Sequence, residues 1–334
     1  MKEKNEILCI GDVVTDAFIE LLPAEAEIEH DNKHHPLLCM TYGTKIPFQE
    51  AIIINGVGNA ANAAVASARM GLNTTFMSDI GDDQVGRDIL HALTEHGVST
   101  EFVHSHRDYK SNYHYVLWYD ADRTILIKHE DYPYEWPEIR DYQKPNWVYL
   151  SSIGEAGAII HDGLEKFLSA NLETKLAFQP GTFQIREGAK KLHKLYAKTT
   201  IFVANKEEFG QILDTDSQDE KVLIEKMHKL GPKIVLLTDG PKGAFASDGT
   251  EVVFMPPYPD PKPPVDRTGA GDAYASTFTA AISGGKTLSE ALAWAGINSM
   301  SVVQEIGAQA GLLTKAEIKR WLDKAPASYK AKKI

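Results

Sequence analysis

The sequence predicts an α/β protein whose central sheet is mostly parallel and covered by helices on both faces. Three observations carry this. Short apolar runs alternate with helical segments along most of the chain, which is the signature of βαβ units. The runs are apolar almost throughout rather than at every second residue, as strands buried on both faces require. One Tyr- and Trp-rich stretch breaks the alternation and reads as a β-hairpin.

The elements follow in order. Ile7-Leu8-Cys9-Ile10 reads as a buried strand ending in the turn Gly11-Asp12. Residues 24 to 50 are mixed and polar, punctuated by Pro36, Gly43 and Pro47, and Ala51–Ile54 is the next strand. Ala60–Met70 is rich in alanine and suits a helix packed closely on a sheet. Thr74–Gly81 is strand then turn, and Val85–His96 is a helix stopped by Gly97. The hairpin is predicted from Asn112–Tyr119 and Thr124–Ile127 around a turn at Asp120-Ala121-Asp122-Arg123; its aromatic face either packs on the main sheet or meets a ligand or partner. Trp147–Leu150, Lys175–Gln179, Ile201–Ala204 and Lys233–Thr238 read as strands. The helices between them are expected at His161–Ala170, Gly188–Lys198 and Glu207–Leu213, with later ones at Ala273–Ile282 and Leu288–Gln304. The basic stretch from Ala325 to Ile334 is expected to fray.

Composition narrows the function. A chain of 334 residues with 43% apolar and 24% charged residues is ordinary for a globular protein with a large core. A net charge of −11 argues against a nucleic-acid partner, and any phosphate site must therefore be built locally. The two cysteines, Cys9 and Cys39, make no disulfide framework, and Cys9 reads as a buried thiol. No apolar run is long enough to span a membrane, and residues 1–6 do not read as a signal peptide, so the cytoplasm is the expected compartment. His34, His35, His104, His106, His114 and His129 show no metal-binding spacing and read as lid or surface residues.

The most specific stretch is Asp266-Arg267-Thr268-Gly269-Ala270-Gly271-Asp272-Ala273, just before a helical run. A helix start offers unpaired N–H groups and the positive end of the dipole, and glycines let a phosphate come close. Asp272 sits at the mouth of that anion pocket. An acid in this position points to a base that takes a proton from a hydroxyl while Gly269, Ala270 and Gly271 hold a migrating phosphoryl group. The plainer alternative for the tetrapeptide alone is an Asp-capped helix.

This stretch resembles the C-terminal signature of the ribokinase-like (PfkB) carbohydrate and nucleoside kinases, with Arg267 where Thr is common. The resemblance covers nearly the whole chain. It implies a three-layer α/β/α body with a mostly parallel central sheet, forming a single domain over 1–334 with a small β-sheet lid from about 17–55 and 107–130. Gly56-Val57-Gly58-Asn59-Ala60-Ala61-Asn62 resembles the N-terminal signature, with Val57 where a Gly is usual; it places Gly58, Asn59 and Asn62 at the acceptor. Asp16, five residues after Gly11, matches the acidic residue that holds acceptor hydroxyls; a turn Asp is the alternative. Gly81-x-Asp83-x-x-Gly86 reads as a structural turn in which Asp83 caps a helix.

Asn205 and Glu208 match the N-x-x-E motif, so the resemblance implies that Glu208 holds Mg²⁺ through water, though a capping box explains the same spacing. Thr238, Gly240, Lys242 and Gly243 match a turn that carries the nucleotide. Asn298 falls in a region that flanks the adenine and a monovalent cation and extends through Gly307-Ala308-Gln309. Asp266 and Thr268 match positions that hold K⁺; Glu305 and Gly311 differ from some K⁺-using members, leaving open whether a carboxylate replaces the cation. No Walker loop is present, and Gly284-Gly285-Lys286-Thr287 reads as a helix stop.

The expected activity is transfer of the γ-phosphoryl group of ATP, with Mg²⁺, to a primary hydroxyl of a sugar. A nucleoside acceptor and a non-catalytic sugar or nucleotide sensor are the alternatives. The oligomeric state stays open, with a homodimer through the lid as one candidate.

Overall fold

The computed structural model describes residues 6–120 and 122–334. In chain order its strands are β1 Ile7–Ile10, β2 Val14–Leu21, β3 Ala26–His30, β4 Pro36–Met40, β5 Phe48–Val57, β6 Thr74–Gly81, β7 Ser99–His106, β8 Tyr113–Tyr119, β9 Asp122–Lys128, β10 Trp147–Leu150, β11 Lys175–Phe178, β12 Thr199–Asn205, β13 Ile234–Thr238, β14 Ala244–Ser247, β15 Val252–Met255 and β16 Lys332–Lys333. The helices are α1 Asn59–Arg69, α2 Gln84–Glu95, α3 Ala158–Ala170, α4 Thr182–Glu187, α5 His193–Lys198, α6 Lys206–Leu213, α7 Glu220–His228, α8 Ala270–Ser283, α9 Leu288–Val302 and α10 Lys315–Leu322.

The main sheet runs β16-β15-β14-β13-β12-β11-β10-β1-β6-β7. From β7 to β13 every pairing is parallel, and β14, β15 and β16 add antiparallel strands at one edge. The inner strands are buried on both faces, yet their side chains still alternate between two cores. Ile7 and Cys9 of β1 face a core shared with the alanines of α1 and with α8 and α9. Leu8 and Ile10 face the opposite core, filled by Leu164 of α3, Tyr196 of α5, Phe209 of α6 and Met227 of α7. This alternation makes the body three layers thick.

A second, four-stranded sheet runs β5-β2-β8-β9, with β2 parallel to β8 and the outer pairs antiparallel. It draws on two distant stretches of chain, the pattern expected of the lid strands. Cross-strand register sorts its side chains by face. Ile54, Asp16, His114 and Ile127 form one row; Ile53, Ala17, Tyr115 and Leu126 form the next, on the opposite face.

Several expectations need correction. The stretch 188–198 is not one helix: Gly188 has φ +82° and ends α4, and only His193–Lys198 is helical. Residues 24–50 contain a two-stranded hairpin, β3 with β4. The C-terminal stretch is docked rather than frayed: Tyr329 is buried, its hydroxyl donates to the Ala293 carbonyl at 2.6 Å, and β16 pairs with β15. The signal-peptide reading falls largely on residues 1–5, which lie outside the described residues, as does Ala121 in the hairpin turn. Among the described residues no helix is long and apolar enough to cross a membrane.

Candidate active site

In the sheet β1 lies between β6 and β10; the chain builds outward through β6 and β7 on one side and then crosses back to β10 to build the other side. In open α/β sheets ligands sit beyond the carboxyl ends of strands near such a switch point. Here that edge gathers Gln179 after β11, Asn205 at the end of β12 and Thr238 at the end of β13. They line a cleft of about 340 Å³ with Val14, Asp16, Gly58, Asn59, Asn62 and His114 from the second-sheet side, Glu208 from α6, and Thr268, Gly269, Gly271, Asp272 and Ala308 around the start of α8.

Asp272 lies at the centre, in the first turn of α8 and 7% exposed. Asn59 Nδ2 and Gln179 Nε2 donate to its Oδ1 at 2.9 and 3.0 Å, and Asn62 Nδ2 donates to Oδ2 at 2.8 Å. These amides are themselves oriented. The Tyr149 hydroxyl donates to Gln179 Oε1, and Gln309 Nε2 donates to Asn62 Oδ1 at 3.0 Å. Burial pushes the Asp272 carboxyl up, and the three amide donors pull it back only in part, so it stays above the ordinary carboxylate range. That is the direction a general base operating near neutrality requires. Asn59 and Asn62, expected at the acceptor, therefore spend their amides on the carboxylate.

The helix start is shaped for close approach. Gly269 has φ +76°, and a Cβ there would lie 2.3 Å from Ala308 Cβ, so only glycine fits. A Cβ at Gly271 would meet nothing within 4 Å, so this residue presents its backbone to open space. Gly58 has φ +114°, and a Cβ would come within 2.9 Å of the Asp12 carbonyl, whereas Val57 is buried at the end of β5 and needs no glycine.

A second cleft, of about 520 Å³, is lined by Thr238, Gly240, Pro241, Gly243, Ala270, Gly271 and Tyr274, and by Pro256, Tyr258, Ser299 and Met300. It shares Thr238 and Gly271 with the first, so the two clefts meet beside Asp272. Lys242 is 77% exposed beside Asp239 and does not line it. Asn298 is fully buried, donating to Thr277 Oγ1 at 2.7 Å and accepting from Leu313 N at 2.8 Å. It ties α9 to α8 and to the segment after it, and its neighbours Ser299 and Met300 face the cleft instead. In Gly307-Ala308-Gln309, Gly307 N donates to Asp266 Oδ2 at 2.9 Å, Ala308 lines the first cleft, and Gln309 supports Asn62.

Asn205 and Glu208 form a complete capping box, with N···O distances of 2.9 and 2.8 Å, and both line the first cleft. Burial, with Asp272 adding to it, pushes the Glu208 carboxyl up against the pull of the Asn205 amide. Two carboxylates facing one cleft suit a hydrated divalent cation, which favours oxygen ligands and offsets their repulsion.

Of these histidines, His114 lies in the second sheet and His129 just after it, within the stretch read as lid, whereas His106 is buried at the end of β7 in the main sheet. His114 lines the cleft with its Nδ1 3.2 Å from Asp16 Oδ1, and its Nε2 lies 3.2 Å from His129 Nε2. His129 in turn meets the buried Asp12, which also accepts from Tyr134 Oη and Gly154 N, both at 2.7 Å. His106 and Asp79 form a buried pair at 2.7 Å, close enough to His104 that the three could share a metal ion. Gln179 and Tyr149 were invisible as site residues in the sequence because they stand singly, outside any motif; Asp12 lies in the stretch Gly11–Asp16 and His114 in the hairpin, but nothing local marks either for the site.

Comparison with known proteins identifies the family and the fold. A family model described as pfkB family carbohydrate kinase matches residues 54–315. The chain is 26% identical to the ribokinase of Bacillus subtilis, over 79% of this chain and 87% of that protein. Among solved structures, Arabidopsis thaliana ribokinase complexed with ribose and ATP superposes with a TM-score of 0.75 at 22% identity, covering 96% of this chain and 99% of that one. The Methanocaldococcus jannaschii nucleoside kinase superposes with a TM-score of 0.74 at 18% identity, covering 96% and 98%. These structural likenesses establish a shared fold.

Proposed function

Because this chain belongs to the pfkB family of carbohydrate kinases, we propose that it transfers the γ-phosphoryl group of ATP to a primary hydroxyl of a small carbohydrate. One observation carries the reading: the two clefts meet at the carboxylate of Asp272 and the open backbone of Gly271. In this reading the acceptor lies in the first cleft against Asp16 and His114, and the nucleotide in the second. Asp272 takes the proton of the attacking hydroxyl. The bond from that oxygen to phosphorus forms as the bond to the β-phosphate oxygen breaks, and ADP leaves. The first-turn amides of α8, with the turn Gly269-Ala270-Gly271, stabilise charge gathering on the transferred group. Asn205 and Glu208 would hold Mg²⁺ through water, and that ion supplies charge neutralisation of the phosphates.

A sugar acceptor is favoured over a nucleoside by the lining of the first cleft. Its walls are polar, and among the described residues neither Tyr nor Trp lines it; Tyr115 points to the opposite face of the second sheet. We also propose that the second sheet acts as a lid, shutting water from the acceptor, and that its outer face pairs with a second copy. The test of function is an ATP-consumption assay with ribose, fructose and adenosine. Turnover with a free sugar supports the proposal. Turnover with adenosine alone moves it to a nucleoside kinase, and binding of both ligands without product makes the chain a sensor.

A further inference from the structure

One charged contact joins the second sheet to the loop that carries the phosphate cradle. Arg123, near the start of β9, sets its guanidinium on Oδ1 of Asp266, 143 residues away in sequence. Asp266 is 6% exposed, and both oxygens of its carboxylate accept hydrogen bonds. Oδ1 also accepts from Thr268 N at 2.9 Å and Thr268 Oγ1 at 2.8 Å, and Oδ2 accepts from Gly307 N at 2.9 Å. Thr268 immediately precedes Gly269, so this carboxylate fixes the entry to the cradle.

The resemblance noted in the sequence implies K⁺ at Asp266 and Thr268. The donor set does not fit a metal ion here. Every contact of the carboxylate is an N–H or O–H donor, and the positive charge is already supplied by arginine. A guanidinium offers a planar fork of donors that a carboxylate matches well. The pair also bridges an open seam: a cavity of about 610 Å³ lies beside it, between Phe18, Trp118 and Ile125 of the second sheet and Pro264 and Val265 of the loop.

We propose that Arg123 is the resident cation of this site. It stands in for a monovalent metal ion and is a positioning residue that sets the cradle only when the β8–β9 hairpin is seated. Without it, a buried carboxylate three residues before Gly269 faces three neutral donors and an incoming polyanion. An unpaired buried charge is strongly unfavourable, so the loop would shift to hydrate it. The kinetic consequence rests on the phosphoryl-transfer reading; the ion-binding consequence does not.

The experiment compares the whole wild-type chain with Arg123→Ala and Arg123→Lys in tetramethylammonium buffer, with or without KCl or NaCl. Melting temperature is read first, without substrates, and then ATP consumption with whichever acceptor the panel identifies. Wild type is expected to be indifferent to K⁺ in both readouts. Arg123→Ala should melt lower and regain stability with K⁺ more than with Na⁺. Its kcat should fall about 100-fold, the scale of a misplaced catalytic geometry, with a smaller change in KM, and should recover in part with dilute methylguanidinium. Arg123→Lys should keep the indifference to K⁺. The inference is overturned if K⁺ stabilises or activates wild type, or if Arg123→Ala keeps the wild-type rate and melting temperature. The wild-type arm decides even if the alanine variant does not fold. Should no acceptor be phosphorylated, the proposed function fails while the melting data still decide the role of Arg123.

Discussion

Asp272 illustrates how a carboxylate is tuned by its neighbours. Burial favours its neutral form, while Asn59, Asn62 and Gln179 favour the charged one. A general base must be ionised to act, so the role proposed for Asp272 predicts that kcat/KM falls on the acid side at a pH above the ordinary carboxylate value of 3.8. Removing a donor that favours the ionised form raises the carboxyl further. Gln179→Leu should therefore move that acid limb to higher pH, and an unmoved limb in the pH–rate profile would remove Asp272 from the role of base. Asp272→Asn should lower kcat by roughly 10²–10⁴-fold, the usual range for loss of a general base. Near-normal turnover in a single-turnover assay would contradict the assignment. The residue was legible because it ends a contiguous motif. Its three amide donors were not all legible: Asn59 and Asn62 lie in a motif but 213 and 210 residues from Asp272, and Gln179 lies in none.

At the scale of elements, local chemistry set most boundaries. Asp83 caps α2 as its position implied, accepting from Gly86 N at 2.8 Å. It also accepts from Ser111 N at 3.0 Å and Ser111 Oγ at 2.7 Å, which pins the loop before β8. Asp83→Ala should cost about 1–2 kcal/mol, a typical loss for an N-cap, measured by urea denaturation. Partial burial raises the Asp83 carboxyl, but the Ser111 and Gly86 donors and Arg87 outweigh it, and the group lies below 3.8. A depressed carboxylate contributes stability above its unfolded value and loses it as pH falls through the folded one. The difference between wild type and Asp83→Ala should therefore shrink as pH drops below 3.8; a difference constant down to acid denaturation would mean the cap is not the cause. Gly188 shows the opposite case. The run 188–198 contains good helix formers, yet Gly188 turns left-handed and delays the helix to His193.

At the scale of the whole molecule, the second sheet has two unlike faces. One row presents Asp16 and His114 to the first cleft. The adjacent row leaves Ile53, Tyr115 and Leu126 each about half exposed or more. Such a contiguous apolar face on a twisted sheet is a surface that a second copy can cover. The chain should sediment as a dimer at micromolar concentration, and Tyr115→Glu combined with Leu126→Glu should yield a monomer with unchanged far-UV circular dichroism. A wild-type monomer under those conditions refutes pairing through this face.

The sequence by itself determined the parallel sheet, most of the helices and the glycine turn that opens α8, because these depend on apolar period, capping residues and glycine placed within a few positions of one another. Tertiary structure alone decided that Gln179 reaches Asp272, that Asn298 is spent inside the body, that the chain's end pairs with β15, and that Arg123 meets Asp266. Those outcomes depend on strand order and on the seating of one sheet over another. Such arrangements bring residues 90 to 210 positions apart within hydrogen-bonding distance, and no local pattern records them.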